Sequence, residues 1–277
     1  MIDRNSLDIL RIIVQKYKGF DISQYKDSYI ERRVNTRINL TNRDNLKSYI
    51  ELLRNNPEEL NKLMDALTVN VTEFFRNIET FSALETDIIP KILQNKETDS
   101  RNVIKVWSAG SSSGEETYSL AILFLEALRK SRKEYDLMIY GTDIDRKSII
   151  KAKSGIYESN KVSNIRKDLL DRYFDEYGNE CMIKPFVKKY VNFSYLDLSS
   201  DFVQNLRTYE LILCRNVIIY FTLDVKKSLF MKFYQMLRKD GYLIVGKNEA
   251  ITGKAVYFME TVNLSERIYK KKNKPIF

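Results

Sequence analysis

No histidine occurs anywhere in the 277-residue chain. Its absence removes the commonest general base near neutral pH and the commonest metal ligand. Cysteine is almost as scarce. Cys181 and Cys214 lie in unlike contexts, form no zinc-binding cluster, and neither reads as a nucleophile. Two isolated thiols fit a reduced, cytoplasmic setting. No apolar run nears the ~18 residues of a membrane span. The N-terminus "MIDRNSLDIL" lacks the apolar stretch of a signal peptide. There are no internal repeats and no low-complexity tract. The chemistry must therefore run without an imidazole, and no metal is expected.

Hydrophobic residues make up 44% of the chain, which with this length suits one large soluble domain or two. The net charge is +9. Part of it sits in Arg267, Lys270, Lys271, Lys272 and Lys274. This cluster is either a solvated tail or an attraction for an anionic partner.

Residues 1–68 read as a small helical domain. "SLDILRIIVQKY" places Leu7, Leu10, Ile13 and Val14 on one helical face, with Ser6 as its N-cap. "KDSYIERRVNTRINL" carries the stripe Ile30, Val34 and Ile38, with Arg32, Arg33 and Arg37 on its other faces. Two shorter helices follow, the second opening with Pro57 in its first turn. Residues 69–101 form a linker and a first helix, and the linker sets Asn70, Thr72 and Arg76 among Val69, Val71, Phe74 and Phe75.

From residue 102 to 277 strands alternate with helices. Strands are predicted at 103–107, 137–142, 190–194, 209–214 and 242–246, with helices near 115–130, 145–153 and 223–238. Such alternation predicts an α/β fold, a mostly parallel Rossmann-like sheet with helices on both faces. "FMETVNLSERIYKKK" reads as one or two further strands, with an antiparallel pairing one option. "RYFDEYGNECMIKPFVKKYVNF" breaks the rhythm with a turn signal at Tyr177-Gly178-Asn179 and reads either as a small antiparallel insertion, about 172–193, or as an irregular loop.

Ligands of open α/β sheets bind beyond the carboxyl ends of the strands. "VWSAGSSSGEETYSL" puts a small-residue loop there, with Gly110 and Gly114 free to adopt positive φ. A helix N-terminus would attract phosphate, but Glu115 and Glu116 in its first turn repel one. Neither a P-loop nor a G-x-G-x-x-G fingerprint is present. A ligand with hydroxyls, an adenine and positive charge but no phosphate fits better, and S-adenosyl-L-methionine has these. Glu115 alone could be simple helix-terminus stabilisation, worth ~0.3–1 kcal/mol. A second acid, Asp143, closes the next strand in "LMIYGTDID", where nucleoside-binding folds hold ribose hydroxyls. Asp145 reads as the N-cap of the helix after it. A third strand end, "LILCRNVIIYF", delivers Arg215 and Asn216, which either face the site or form a buried Arg–acid pair holding a loop.

Together "VNVTEFFRN", "VWSAGSSSGEETYSLA", "GTDIDRKSIIKAKSGIYE", "LILCRNVIIYF" and "DGYLIVGKNE" resemble, in order and over nearly the whole chain, the CheR family of chemoreceptor glutamate O-methyltransferases. The resemblance implies a helical N-terminal domain, a class I S-adenosyl-L-methionine-dependent methyltransferase domain and an inserted β-subdomain. By motif it implies cofactor contacts from Asn70, Thr72, Arg76, Gly110, Glu115, Asp143, Asp197, Leu198, Arg215 and Asn216, and catalytic roles for Arg76 and Tyr220. Three segments depart from the family pattern. "YLDL" stands for the usual Asn-Leu, Gly246-Lys247-Asn248-Glu249 for Gly-His-Ser-Glu, and Gly110-Ser111-Ser112-Ser113 for Ala-Cys-Ser-Thr.

The implied reaction makes glutamate methyl esters on cytoplasmic helices of methyl-accepting chemotaxis receptors, with S-adenosyl-L-homocysteine as product. A glutamate of pKa ~4.3 is ionised at neutral pH and needs no base, so the missing histidine costs nothing. The expected protein is a cytoplasmic monomer recruited to membrane receptor arrays, with no membrane insertion and no stable nucleic acid. Arg32, Arg33 and Arg37 either dock an acidic receptor helix or are a solvated face. Whether a receptor C-terminal peptide docks on the β-subdomain is left open. Two other readings remain: a nucleic-acid methyltransferase, suggested by the charge, and a non-catalytic receptor-binding adaptor.

Overall fold

A computed structural model describes residues 4–97, 102–200 and 208–273. Lys274 and the junction at 98–101, both part of the expectations above, lie outside the described residues. The chain divides into two compact units, residues 1–69 with 220–226, and residues 70–219 with 227–277.

The first unit contains α1 (Arg4–Lys18), α2 (Asp27–Leu40), α3 (Leu46–Asn55) and α4 (Pro57–Leu67). Each buries one apolar stripe at helical spacing, such as Leu7, Leu10, Ile13 and Val14 in α1. Asn45 and Ser48 form a capping box on α3, and Asn56 caps α4 ahead of Pro57. Ser6 is not a cap, because α1 already runs from Arg4 and Ser6 lies buried in its first turns. Residues 220–226 complete this unit: Phe221 bridges to Tyr25, and the Tyr220 carbonyl accepts from the Lys26 N–H at 2.9 Å.

The second unit begins with α5 (Ile78–Ala83), which passes through a π-helical turn at Leu84–Ile88 into α6 (Ile89–Glu97). Then come β1 (Val103–Ala109), α7 (Glu115–Lys130), β2 (Asp136–Asp143), α8 (Arg146–Ser154) and β3 (Ile156–Glu158). They are followed by α9 (Lys167–Tyr173), β4 (Phe174–Tyr177), β5 (Glu180–Ile183), α10 (Pro185–Lys188) and β6 (Val191–Tyr195). The last elements are β7 (Tyr209–Cys214), α11 (Leu223–Met236), which starts within the first unit, β8 (Leu237–Val245), α12 (Ala255–Phe258), β9 (Met259–Asn263) and β10 (Ile268–Lys271).

One seven-stranded sheet has the order β6-β2-β1-β7-β8-β10-β9, with β10 antiparallel to both neighbours. The remaining pairings are parallel. β7 is buried at every position, the outcome that its continuous apolar run demands. The chain starts at β1, works outward through β2 to β6, and then returns to β7 on the other side of β1. The order therefore reverses between β1 and β7, the switch point at which such sheets open a crevice.

A separate antiparallel sheet has the order β3-β5-β4. It differs from the expected 172–193 insertion at both ends. Its edge strand β3 comes from "IYE", too short to signal a strand, while residues from Val191 onward belong to the large sheet. Both cysteines are buried and unpaired with each other. Among the described residues no helix is long and apolar enough to cross a membrane.

Candidate active site

Sheet register brings the carboxyl ends of β1, β2, β6, β7 and β8 to one edge. Ala109 pairs with Thr142, Asp143 with Tyr195, and Cys214 with Val245. The loop after β1 is fixed by the Thr142 carbonyl, which accepts from the Gly110 and Ser111 N–H groups at 2.8 and 2.9 Å. Gly110 has φ +81°, and a Cβ there would stand 2.4 Å from Val217 Cγ2, so the loop admits no side chain at that point.

The two sequence-predicted acids both sit on this edge. Asp143 accepts from the Ser112 N–H at 2.7 Å and the Asp145 N–H at 2.9 Å. These bonds fix its plane and leave about half of its ~four lone-pair positions free. Glu115 is 1% exposed, and its carboxylate is bridged by Ser113 Oγ at 2.8 and 3.0 Å. Among the described residues neither acid forms an ion pair. Burial, opposed in part by these hydrogen bonds, pushes both carboxyls above the usual carboxylate range.

Ser111 and Ser112 add buried hydroxyls with no hydrogen-bond partner. Unpaired acids, spare hydroxyls and no lysine or arginine in the loop suit a cationic, hydroxyl-bearing and phosphate-free ligand. The residues present thus fit S-adenosyl-L-methionine. Among the described residues no group of His, Cys, Asp or Glu is placed to hold a metal ion.

Other predicted residues are engaged in the fold. Asn70 Nδ2 donates to Asp145 Oδ2 at 2.7 Å, and Asp145 caps α8 as expected. Thr72 is half-buried, and the half-buried Arg76 donates from Nη1 to the Val71 carbonyl at 2.9 Å. Asp197 accepts from the Ser199 N–H and hydroxyl at 2.8 and 2.6 Å, and Leu198 is buried beside it in the chain. Asn216 adopts φ +62°.

Arg215 forms a buried Arg–acid pair. It donates to Glu116 Oε2 at 3.1 Å, to the Arg76 carbonyl at 2.9 Å and to Asn77 Oδ1 at 2.6 Å. Tyr220 lies in the first unit, its ring 4.5 Å from that of Tyr29. The Arg32 and Arg33 guanidinium groups stand over the same Tyr29 ring, at 5.8 and 5.5 Å. Arg37 leaves the docking set. It makes a two-pronged pair with Glu59 at 2.6 and 2.9 Å, which also accepts from the Tyr49 hydroxyl, so its charge is neutralised inside the helical unit.

The described residues of the basic C-terminal cluster are tied to the fold. Lys270 pairs with Asp240, Lys271 donates to the Leu237 carbonyl, Lys272 to the Tyr257 carbonyl and Arg267 to the Lys247 carbonyl.

Glu249 is a residue that sequence reasoning passed over. Its buried carboxylate accepts from the N–H groups of Gly246 (2.6 Å), Asn216 (3.0 Å) and Ile219 (3.1 Å), tying the ends of β7 and β8 together. Burial raises its pKa against the lowering effect of these bonds. The signal lay in "GKNE": an acid a few residues beyond an apolar strand, the position in which Asp143 and Glu115 drew attention.

A sheet reversing between β1 and β7, with β10 antiparallel to both of its neighbours, is the architecture of a Rossmann-like class I methyltransferase. Residues 70–267 match the CheR methyltransferase, SAM binding domain, and residues 5–68 match the CheR methyltransferase, all-alpha domain. The chain belongs to the CheR methyltransferase family, whose reaction is S-adenosyl-L-methionine-dependent methylation in chemotaxis. A chemotaxis protein methyltransferase of Borreliella burgdorferi is 32% identical, covering 91% of this chain and 90% of its own. One of Listeria monocytogenes is also 32% identical, covering 91% and 92%. A solved TehB-like SAM-dependent methyltransferase from Corynebacterium glutamicum overlies 71% of this chain and 92% of its own at a TM-score of 0.36 and 15% identity, too remote to add weight.

Proposed function

We propose that the protein transfers a methyl group from S-adenosyl-L-methionine to glutamate side chains on the cytoplasmic helices of chemotaxis receptors, forming methyl esters. The observation that carries this reading is the match of residues 5–68 and 70–267 to the two domains of one family. When bound, the cofactor supplies a methyl group made electrophilic by its sulfonium.

The chain's own residues hold and orient. Glu115 and Asp143 take the cationic and hydroxyl parts of the cofactor, with Asn70, Thr72, Gly110, Asp197, Leu198 and Asn216 along the same ligand. Arg76 orients a carboxylate, and Tyr220 lines the methyl-transfer position. The acceptor glutamate is already ionised at neutral pH, its free pKa being ~4.3. No general base is required, which accords with a chain that has no histidine. Alignment is the main demand, and holding the reactants near ~3–3.5 Å can supply ~7–11 kcal/mol of the barrier. Arg32 and Arg33 are the docking cations.

The test is radiolabelled methyl transfer from S-adenosyl-L-methionine to receptor-bearing membranes, followed by alkaline release. Volatile, base-labile label supports the ester. Base-stable label on RNA would favour the nucleic-acid reading, and binding without transfer would favour the adaptor. Arg76→Ala should lower turnover about 100-fold or more, as loss of alignment does, while leaving the thermal midpoint near wild type. Undiminished turnover removes Arg76 from the site.

A further inference from the structure

We propose that the Glu116–Arg215 pair is a positioning device for Arg76: it holds the turn that presents Arg76 and acts on the reaction through that residue. This rests on the reading that Arg76 takes part in methyl transfer. The turn is unusual. Phe75 has φ +51° and Asn77 φ +62°, with Arg76 between them. A left-handed backbone costs an L-residue roughly 1–2 kcal/mol, and for a bulky residue such as phenylalanine it is an outlier.

Such a conformation persists only where its surroundings over-determine it, and here they do. The Phe75 N–H donates to Ser119 Oγ at 3.0 Å, and that hydroxyl donates onward to the Glu115 carbonyl at 2.7 Å. The Phe74 carbonyl accepts from Asn164 Nδ2 at 2.8 Å. Phe74 is fully buried against Tyr157 and Phe174, and Phe75 packs edge-on to Phe81.

Arg215 closes the other side. Its side chain is 1% exposed and lies over the Phe81 ring. One nitrogen, Nη2, reaches both the Arg76 carbonyl and Asn77 Oδ1, while Nη1 meets Glu116. Glu116 is in turn fixed by Ser108 Oγ at 2.8 Å. The chain β1–α7–Arg215–turn is therefore continuous, and it ends on the backbone of Arg76. A buried ion pair is weak evidence for stability, because desolvation offsets its attraction. Two left-handed residues add a further cost. The arrangement makes sense as placement: the turn sends the Arg76 side chain back along the linker to the Val71 carbonyl, with Asn70 and Thr72 beside it in the chain.

The test is a double-mutant cycle in kcat and KM for methyl transfer, with Arg76→Ala, Arg215→Lys and both together. Lysine keeps a charge beside Glu116 but cannot make the fork to Arg76 and Asn77. Arg215→Lys should lower kcat about 10- to 100-fold in the wild-type background, and less than about 2-fold further once Arg76 is alanine. Effects that multiply would show Arg215 acting independently and overturn the proposal, while the proposed function stands. If Arg76→Ala keeps full activity, the role of Arg76 and this proposal fall together. No transfer by the wild-type protein would instead sink the proposed function. Should Arg215→Lys fail to fold, Asn77 is the second probe. Asn77→Ala removes the acceptor and disfavours the left-handed backbone, whereas Asn77→Asp keeps both. Turnover should fall with alanine and recover most of its value with aspartate. Equal rates for the two variants overturn the proposal.

Discussion

Glu115 is a buried acid with no ion-pair partner among the described residues, and its ionisation links folding to ligand binding. Because its folded pKa is raised, the folded chain keeps a proton that the unfolded chain releases. Its contribution therefore becomes unfavourable as pH rises from the ordinary carboxylate value through the raised one. A cationic ligand reverses this preference by stabilising the carboxylate. Binding of S-adenosyl-L-homocysteine, which keeps the ammonium group, should weaken as pH falls through that raised value. Glu115→Gln should weaken binding at neutral pH by roughly 1.5–3 kcal/mol, the range for a hydrogen bond to a charged group, and flatten the pH dependence. Calorimetry as a function of pH decides it, and an unchanged slope in the variant removes Glu115 as the titrating contact. The two acids were legible because Asp143 ends an apolar strand run and Glu115 opens the helix after the small-residue loop that follows another. The partners of Arg215 were not, since Glu116, Arg76 and Asn77 are remote in sequence and only the fold brings them together.

At the scale of elements, Glu126 fastens α7 to α9. It accepts from the Tyr173 hydroxyl at 2.7 Å, pairs with Arg172, and pairs with Arg129 at 3.0 Å. Burial alone would raise its pKa, but these donors outweigh it and bring it to about 2. The stabilisation is thus fully present above the unfolded value of ~4.3 and disappears as pH falls from there through about 2. Glu126→Gln should lower stability by about 1–3 kcal/mol, because Tyr173 and the two arginines lose a charged acceptor. Denaturant unfolding should show that difference near neutral pH and a shrinking one in acid; a difference that persists in acid assigns the loss to packing. The five strands predicted from the sequence all form, with ends that differ by up to five residues. Apolar runs bounded by turn residues carry that information. β3 carried none, because a three-residue strand owes its existence to its partner β5.

For the whole molecule, a net charge of +9 was the least informative number. Net charge does not say which cations are paired: Arg37 pairs with Glu59, Lys270 with Asp240, and Lys96 and Arg238 share Glu210. Composition cannot tell a paired cation from a free one, which is why Arg37 looked equivalent to Arg32 and Arg33. The distinction is testable. Arg32→Glu with Arg33→Glu should slow association with receptor-bearing membranes roughly 10-fold or more at low salt and flatten its salt dependence, as loss of electrostatic steering does. Neither change occurring would exclude this face from docking.

The helical unit is assembled from two stretches of chain far apart in sequence. Phe221, 1% exposed, packs its ring 5.0 Å from that of Tyr25, and the Thr222 N–H reaches the Gln24 carbonyl at 3.0 Å. On a ribosome the N-terminal helices emerge long before residues 220–226 exist. Their last backbone partners therefore arrive only when most of the sheet has been synthesised, and a polypeptide released early would be left with that seam open.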